Sequence, residues 1–247
     1  MLISEDIIDD LKDYMYNKEK TYKFEASNEK LVEDIDENYL IEIPEITLEG
    51  AKEHLTLILV NTENNKSLFE IAPHRELLDG ELSAIPYWNI TEEESFLFKN
   101  EMLDKLNITE DELFKICYEN VDKLDFHFQL VSEYIQDMIG RHCLNLREEY
   151  AFKTSLPIMY FATIQNFRYG AKILLSETAL GNIHEKLGDF IIIPSSIHEV
   201  IFIPYSDDLN REYFYNLVYE TNRTILSLHE FLSDTIMLYD GKELSKF

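Results

Sequence analysis

Short, dense apolar runs separated by polar turns dominate the C-terminal half of the chain. The runs 158–164, 191–193 and 200–203 are too short for helices and rich in β-branched and aromatic residues, which favours strands. Residues 159–163 and 171–175 read as a hairpin across the polar pair Gln165-Asn166. Ser176 then stands where an N-cap should, Ala179, Leu180, Ile183 and Leu187 follow at helical spacing, and Gly188 ends the helix. Residues 190–193 and 197–203 form a second hairpin, turned by Pro194-Ser195-Ser196, because proline fixes φ and serine bonds its own backbone. Period 2 on its second strand puts Ile197, Glu199, Ile201 and Ile203 on one face, with His198, Val200 and Phe202 on the other. Beyond Pro204, Ser206-Asp207-Asp208 caps a helix over 208–221, whose stripe runs Leu209, Tyr213 and Leu217 with Phe214 and Val218 alongside. Residues 236–239 close the sheet. The pattern predicts an α+β fold, a mostly antiparallel sheet with helices packed on it. Its C-terminal unit is β-β-α-β-β-α-β, with Ile191, Ile193, Ile201 and Leu180 in the core.

The N-terminal half is less regular. Ser4 caps a first helix, stapled by Ile3 and Ile8, and residues 29–53 are dense in carboxylates. Residues 54–60 read as a strand, 61–66 as a polar turn, and 67–71 as a helical turn ahead of Pro73. The runs 82–90 and 95–98 flank Thr91-Glu92-Glu93-Glu94, which fits either a capping box or a hairpin turn; the unbroken Phe96-Leu97-Phe98 favours the hairpin. Thr109 and Glu112 form a second capping box, ahead of a stripe of Leu113, Ile116, Cys117 and Val121 that puts Cys117 in the core. Residues 126–143 read as a helix and 144–155 as a charged connector. Three segments follow: an acidic helical or extended region over 1–53, a first α+β half over 54–150, and a C-terminal α+β half over 151–247, the two halves packed as one unit.

Composition narrows the class. A 247-residue chain that is 45% hydrophobic and 13% aromatic can bury a sizeable core. Two cysteines make no disulfide framework, which points to a reducing compartment. The start, Met1-Leu2-Ile3-Ser4-Glu5-Asp6, lacks the basic region of a signal peptide, and no apolar run reaches membrane-spanning length, so a cytoplasmic protein is expected, away from membranes. The formal net charge is −26 and unevenly placed: 32 acidic against 12 basic side chains over 1–128, net −20, and 16 against 10 over 129–247, net −6. Such a balance argues against direct nucleic-acid binding, which needs lysine and arginine against phosphate. It suits a solvated acidic surface or a basic protein partner.

Particular stretches carry a resemblance. LILVNTENNKSLFEIAPHRELLD (57–79), NITEDELFKICYEN (107–120), Met159-Tyr160-Phe161-Ala162-Thr163, Gly170-Ala171 and the turn 194–200 resemble, in order, the signatures of a bacterial family, domain of unknown function 5688. The likeness covers roughly residues 55–240, while the acidic N-terminal region matches poorly. The C-terminal layout is distantly similar to domain of unknown function 1444. The resemblance implies an α+β fold and draws attention to two motifs; it implies no reaction and no cofactor.

The first motif is Ser195-Ser196-Ile197-His198-Glu199. Ser196 and His198 share a strand face, so a hydroxyl–imidazole pair with Glu199 as orienting carboxylate is conceivable, making Ser196, His198 and Glu199 the catalytic candidates of a hydrolase. The plainer alternative is a tight hairpin whose Ser and His side chains satisfy backbone groups. The second motif is His74-Arg75 with Asp79, readable as a ligand site beside His198 or as an Arg–carboxylate pair with a His capping a short helix. No metal site is expected, because none of the three His-Glu pairs extends to His-Glu-x-x-His. Glu33, Asp34, Asp36 and Glu37 are the binding candidates of the acidic region. Three functions fit: a non-enzymatic protein-binding or regulatory protein, in one version a DNA mimic of the anti-defence type; a hydrolase; or a ligand-sensing domain.

Overall fold

A computed structural model describes residues 48–89, 95–134, 158–165 and 167–247. The Ser4 helix, the carboxylates Glu33, Asp34, Asp36 and Glu37, the 91–94 turn and the 144–155 connector lie outside the described residues. The described residues all belong to the unit Thr47–Phe247. The architecture is α+β, built on two antiparallel sheets.

The first sheet comprises β1 (Leu55–Asn61), β2 (Arg75–Leu77), β3 (Leu82–Asn89) and β4 (Ser95–Leu97), in the order β1-β3-β2 with β4 also on β3. All seven residues of β1 are buried, which is why the sequence shows a continuous apolar run rather than alternation. Ahead of it, α1 (Leu48–Ala51) is one helical turn. The pairing of β3 with β4 agrees with the hairpin reading of 82–98. A 3-10 helix over Glu63–Glu70 takes in both the expected turn and the helical segment. Two helices follow, α2 (Glu101–Leu106) and α3 (Glu110–Val121). On α3 the capping box forms as its sequence predicts: Thr109 Oγ1 accepts from the Glu112 N–H at 3.2 Å and Glu112 Oε2 from the Thr109 N–H at 2.8 Å. Leu113, Phe114, Cys117 and Val121 are its buried residues. Asn120 Nδ2 donates to the Lys52 and Leu55 carbonyls at 2.6 and 2.8 Å, tying the helix to the start of β1.

The second sheet has six strands, β5 (Phe126–Leu130), β6 (Tyr160–Ile164), β7 (Phe190–Ile193), β8 (Val200–Pro204), β9 (Met237–Tyr239) and β10 (Leu244–Lys246), in the order β10-β9-β7-β8-β6-β5. Two helices serve it, α4 (Glu177–Leu187) and α5 (Arg211–Thr224). Ile191, Ile193 and Ile203 form a buried cluster with Phe214 and Val218 of α5, and Ile201 packs against it half-buried. Ser176 caps α4 through the Ala179 N–H at 3.0 Å, and the Gly188 N–H closes the helix on the His184 carbonyl at 2.8 Å with φ of 70°.

Four expectations need correction. Residues 126–130 are a strand, not the start of a helix: Phe126, Phe128 and Leu130 alternate along the edge of β6, and helix appears only at 131–134, with 135–143 outside the described residues. Residues 171–175 are not a strand but part of a buried 3-10 helix, Gly170–Leu175. Both edges of β6 are taken, by β8 and by β5, so no ladder was open to them. The C-terminal unit accordingly loses its second strand and gains β10. The last helix starts at Arg211 with Asn210 as its cap, and it buries Phe214, Val218 and Asn222; Tyr213 and Leu217 face outward.

Lys172, on the 3-10 helix, is only 4% exposed, and its Nζ donates to Thr56 Oγ1 of β1 at 3.3 Å. Burial lowers its amine to about 8, while burial pushes the neighbouring Cys117 thiol up to about 12. The folded amine therefore releases its proton well before the unfolded one, whose ordinary value is 10.5. Below about pH 8 the cost of burying the charge is fully present; above it, stability rises with pH. Ionisation of the unfolded thiol, from about pH 9, opposes that rise. Denaturant melts should show stability climbing from pH 8 to 9 with a slope of at most about 1.4 kcal/mol per pH unit, and Lys172→Met should flatten it. Equal slopes in the two proteins would refute the assignment.

Candidate functional site

Residues 194–199 join β7 to β8 and carry the Ser-Ser-Ile-His-Glu motif. The strand expected over 197–203 begins only at Val200, so Ser196 and His198 do not share a strand face. The backbone explains why. The Ile197 N–H goes to the Glu230 carbonyl at 3.0 Å, and the Ile197 carbonyl accepts the Ala171 N–H at 3.2 Å. The His198 carbonyl accepts twice, from the Gly170 N–H at 3.0 Å and from Thr163 Oγ1 at 2.8 Å. These partners come from β6, the 3-10 helix and the 227–230 turn, and none continues a ladder.

Gly170 is required by that approach. A Cβ there would lie under 3.0 Å from the His198 carbonyl oxygen and from Thr163. Its neighbours Phe167 and Tyr169 both sit at φ of 56°, the left-handed region, at a cost of about 1–3 kcal/mol each. Offsetting contacts surround Tyr169. Its N–H donates to His198 Nδ1 at 3.1 Å, its ring lies 5.5 Å from the imidazole and 6.3 Å from Tyr87, and the Arg168 guanidinium sits 5.7 Å from the ring centre.

The candidate side chains are spent on this local architecture. Ser196 is buried, and its Oγ accepts the His198 N–H at 3.0 Å, a side-chain-to-backbone turn. Ser195 Oγ donates to Glu199 Oε1 at 3.4 Å. His198 Nδ1 is occupied by the Tyr169 N–H, so that nitrogen is not open to a serine hydroxyl. None of these bonds is the hydroxyl–imidazole contact that would activate a serine.

The second motif disperses. Arg75 opens β2 and pairs with Asp111 at 2.5 Å, not with Asp79, and its guanidinium lies 4.3 Å from the Phe114 ring centre. The Asp111 side chain is 94% exposed, so the pair contributes little. Asp79 sits in the turn from β2 to β3 with Leu78 and Gly80, all three at positive φ, and its carboxylate is 3.7 Å from Lys246. The Asp-Gly pair at 79–80 is the sequence signal for this hairpin. His74 caps no helix; its ring stacks on Phe69 at 4.0 Å. Phe69 and Tyr169 both pack against the cluster of Ile58, Val60, Ala72 and Ile85, so His74 and His198 flank one face of the first sheet through one intermediary ring each.

Further polar contacts join the sheets. Asn61 Nδ2 donates to the Leu232 carbonyl at 3.1 Å, Ser233 Oγ to Glu81, and Lys246 lies 3.4 Å from Glu81. No sequence period marks these residues, since they are scattered across turns and strand ends. Among the described residues no three His, Cys, Asp or Glu side chains converge as a metal site, and no helix is long and apolar enough to cross a membrane.

Two substitutions test the structural role of the turn. Gly170→Ala should lower the melting temperature sharply, by steric exclusion from the His198 carbonyl. Ser196→Ala should cost about 1–2 kcal/mol in denaturant melts, the penalty for stranding the His198 N–H. A Gly170→Ala protein as stable as the parent would contradict the clamp.

No curated protein and no solved structure matches the chain. A family model does, over residues 10–241. The match begins far ahead of residue 55, so much of the acidic N-terminal region is family sequence too, contrary to the poorer likeness expected of it. With nearly its whole length matched, the chain belongs to the family of unknown function DUF5688.

Proposed function

We propose that this chain is a non-enzymatic binding protein whose partner is another protein carrying positive charge. One observation carries the reading: the polar atoms that would make a hydrolase, Ser196 Oγ and His198 Nδ1, are each engaged by a backbone N–H. Side chains that hold a turn in shape are poorly placed to be exchanged for substrate. The charge then indicates the partner. A net charge of −26, concentrated in the first 128 residues, repels nucleic acid and attracts basic protein surfaces. DNA mimicry is a narrower version of the same idea, requiring carboxylates spaced like phosphates, about 3.4 Å apart along one strand.

Two experiments separate binding from hydrolysis. A fluorophosphonate probe should leave Ser196 unlabelled in the folded protein; labelling that disappears in His198→Ala would establish the hydrolase instead. Affinity capture should recover a basic protein whose binding fades between 0.1 M and 1 M salt, as the screening length shrinks from about 10 Å to about 3 Å. Changing Glu33, Asp34, Asp36 and Glu37 to Gln or Asn should weaken capture at low salt, and unchanged capture would remove that patch from the interface.

A further inference from the structure

Helix α5 carries more apolar surface than the sheet covers. Phe214 and Val218 reach the core, yet Tyr213, Tyr215, Leu217 and Tyr219 stay outside at 47%, 50%, 39% and 41% exposure. Their order on the helix is regular. Glu212 and Glu220 are eight residues apart and lie on one line with Asn216 midway. Tyr215 and Tyr219 flank that line on one side, with rings 6.1 Å apart, and Tyr213 and Leu217 flank it on the other. An acidic ridge thus runs between two apolar rows.

The surroundings are acidic as well. From Tyr205 to Asp234 the chain has Asp207, Asp208, Glu212, Glu220, Glu230 and Asp234 against Arg211 and Arg223. Both arginines already have partners. Arg211 lies over the Phe247 ring at 4.0 Å. Arg223 is held by both oxygens of Asp234, at 3.0 and 2.9 Å, and lies over the Tyr219 ring at 3.4 Å. That last contact shows within this chain the chemistry the surface suits: a guanidinium on a tyrosine face with a carboxylate behind it. Tyrosine is the residue type that concentrates binding energy at protein interfaces, with little entropy to lose.

We infer that the outer face of α5 docks an arginine- and lysine-rich segment of another protein, its cations seated between the tyrosine rows and against Glu212 and Glu220. The inference rests on the reading of a basic protein partner and locates one contact surface for it. It also gives the exposed tyrosines a role that solubility does not.

The test uses the full chain and a fluorescent arginine–glycine repeat peptide, with a glutamate–glycine peptide of equal length as control, followed by anisotropy near physiological salt. Tyr215→Ser combined with Tyr219→Ser, and Tyr213→Ser and Tyr215→Ser separately, leave the net charge unchanged; of these only the combined variant also removes the ring beneath Arg223. Each should weaken the arginine peptide, the double variant about tenfold, with thermal melting unaltered in the single Tyr213→Ser and Tyr215→Ser proteins. The same loss should appear when the tyrosine changes are made in the protein whose Glu33, Asp34, Asp36 and Glu37 are amidated. Undiminished affinity in the tyrosine variants, with loss only on amidation, would overturn the α5 surface and leave the basic-partner reading standing. Failure of the peptide to bind the parent protein at any salt would overturn both. A concentration-dependent dimer in sedimentation, abolished by the tyrosine changes, would assign the face to a second copy and likewise overturn the inference.

Discussion

The carbonyl of His198 is the point on which the C-terminal architecture turns. It lies just outside the regular ladder and accepts from Thr163 Oγ1 and from the Gly170 N–H. Those two bonds join β6, the 3-10 helix and the β7–β8 connection, three pieces separated in sequence. The approach leaves no room for a Cβ at residue 170, and it holds Phe167 and Tyr169 in left-handed backbone. Once that geometry is fixed, the 3-10 helix must run inward, and Lys172 is carried to Thr56 of the other sheet. A buried ammonium hydrogen-bonded to a neutral hydroxyl is an unfavourable arrangement, and the amine answers by losing its proton more easily.

The same clamp decides the chemistry of the Ser-Ser-Ile-His-Glu turn. Serine and histidine near a carboxylate invite a catalytic interpretation when only the order of residues is known. In three dimensions Ser196 Oγ and His198 Nδ1 are taken by backbone N–H groups. Losing the Ser196 hydroxyl would strand the half-buried His198 N–H. Function on the reading proposed here moves to the surface, where acidic charge and exposed tyrosine are the available chemistry.

Charge and aromatic surface play separate parts in that reading. Long-range attraction comes from the overall imbalance and would fade with salt. Contact energy comes from rings and carboxylates that can hold a cation after water has left. The α5 surface has both within a few turns of helix, and the arginines present there are engaged with Phe247, Tyr219 and Asp234 rather than offsetting the acidic ridge.

The sequence by itself determined the fold class, the strands β1, β3, β4, β6 and β7, the β7–β8 hairpin and the capped helices at Thr109 and Ser176. Each rests on local chemistry: side-chain period, a hydroxyl cap, a glycine stop. Tertiary structure decided the rest. Whether the apolar run 171–175 became strand or 3-10 helix depended on whether an edge of β6 was vacant, which no local pattern records. Residues 126–130 carried both periods, and pairing with β6 selected the strand. Which of the two apolar rows of α5 met the core depended on the sheet it landed on, so Phe214 and Val218 went in and Tyr213 and Leu217 stayed out. The partners of His198 and Arg75 were likewise settled by segments 29 and 36 residues away, whereas the Ser196 bond to the His198 N–H is a local turn that the order of residues allows. Period and caps act over a few residues and can be read along the chain; hydrogen-bond partners and buried faces are chosen only when distant segments meet.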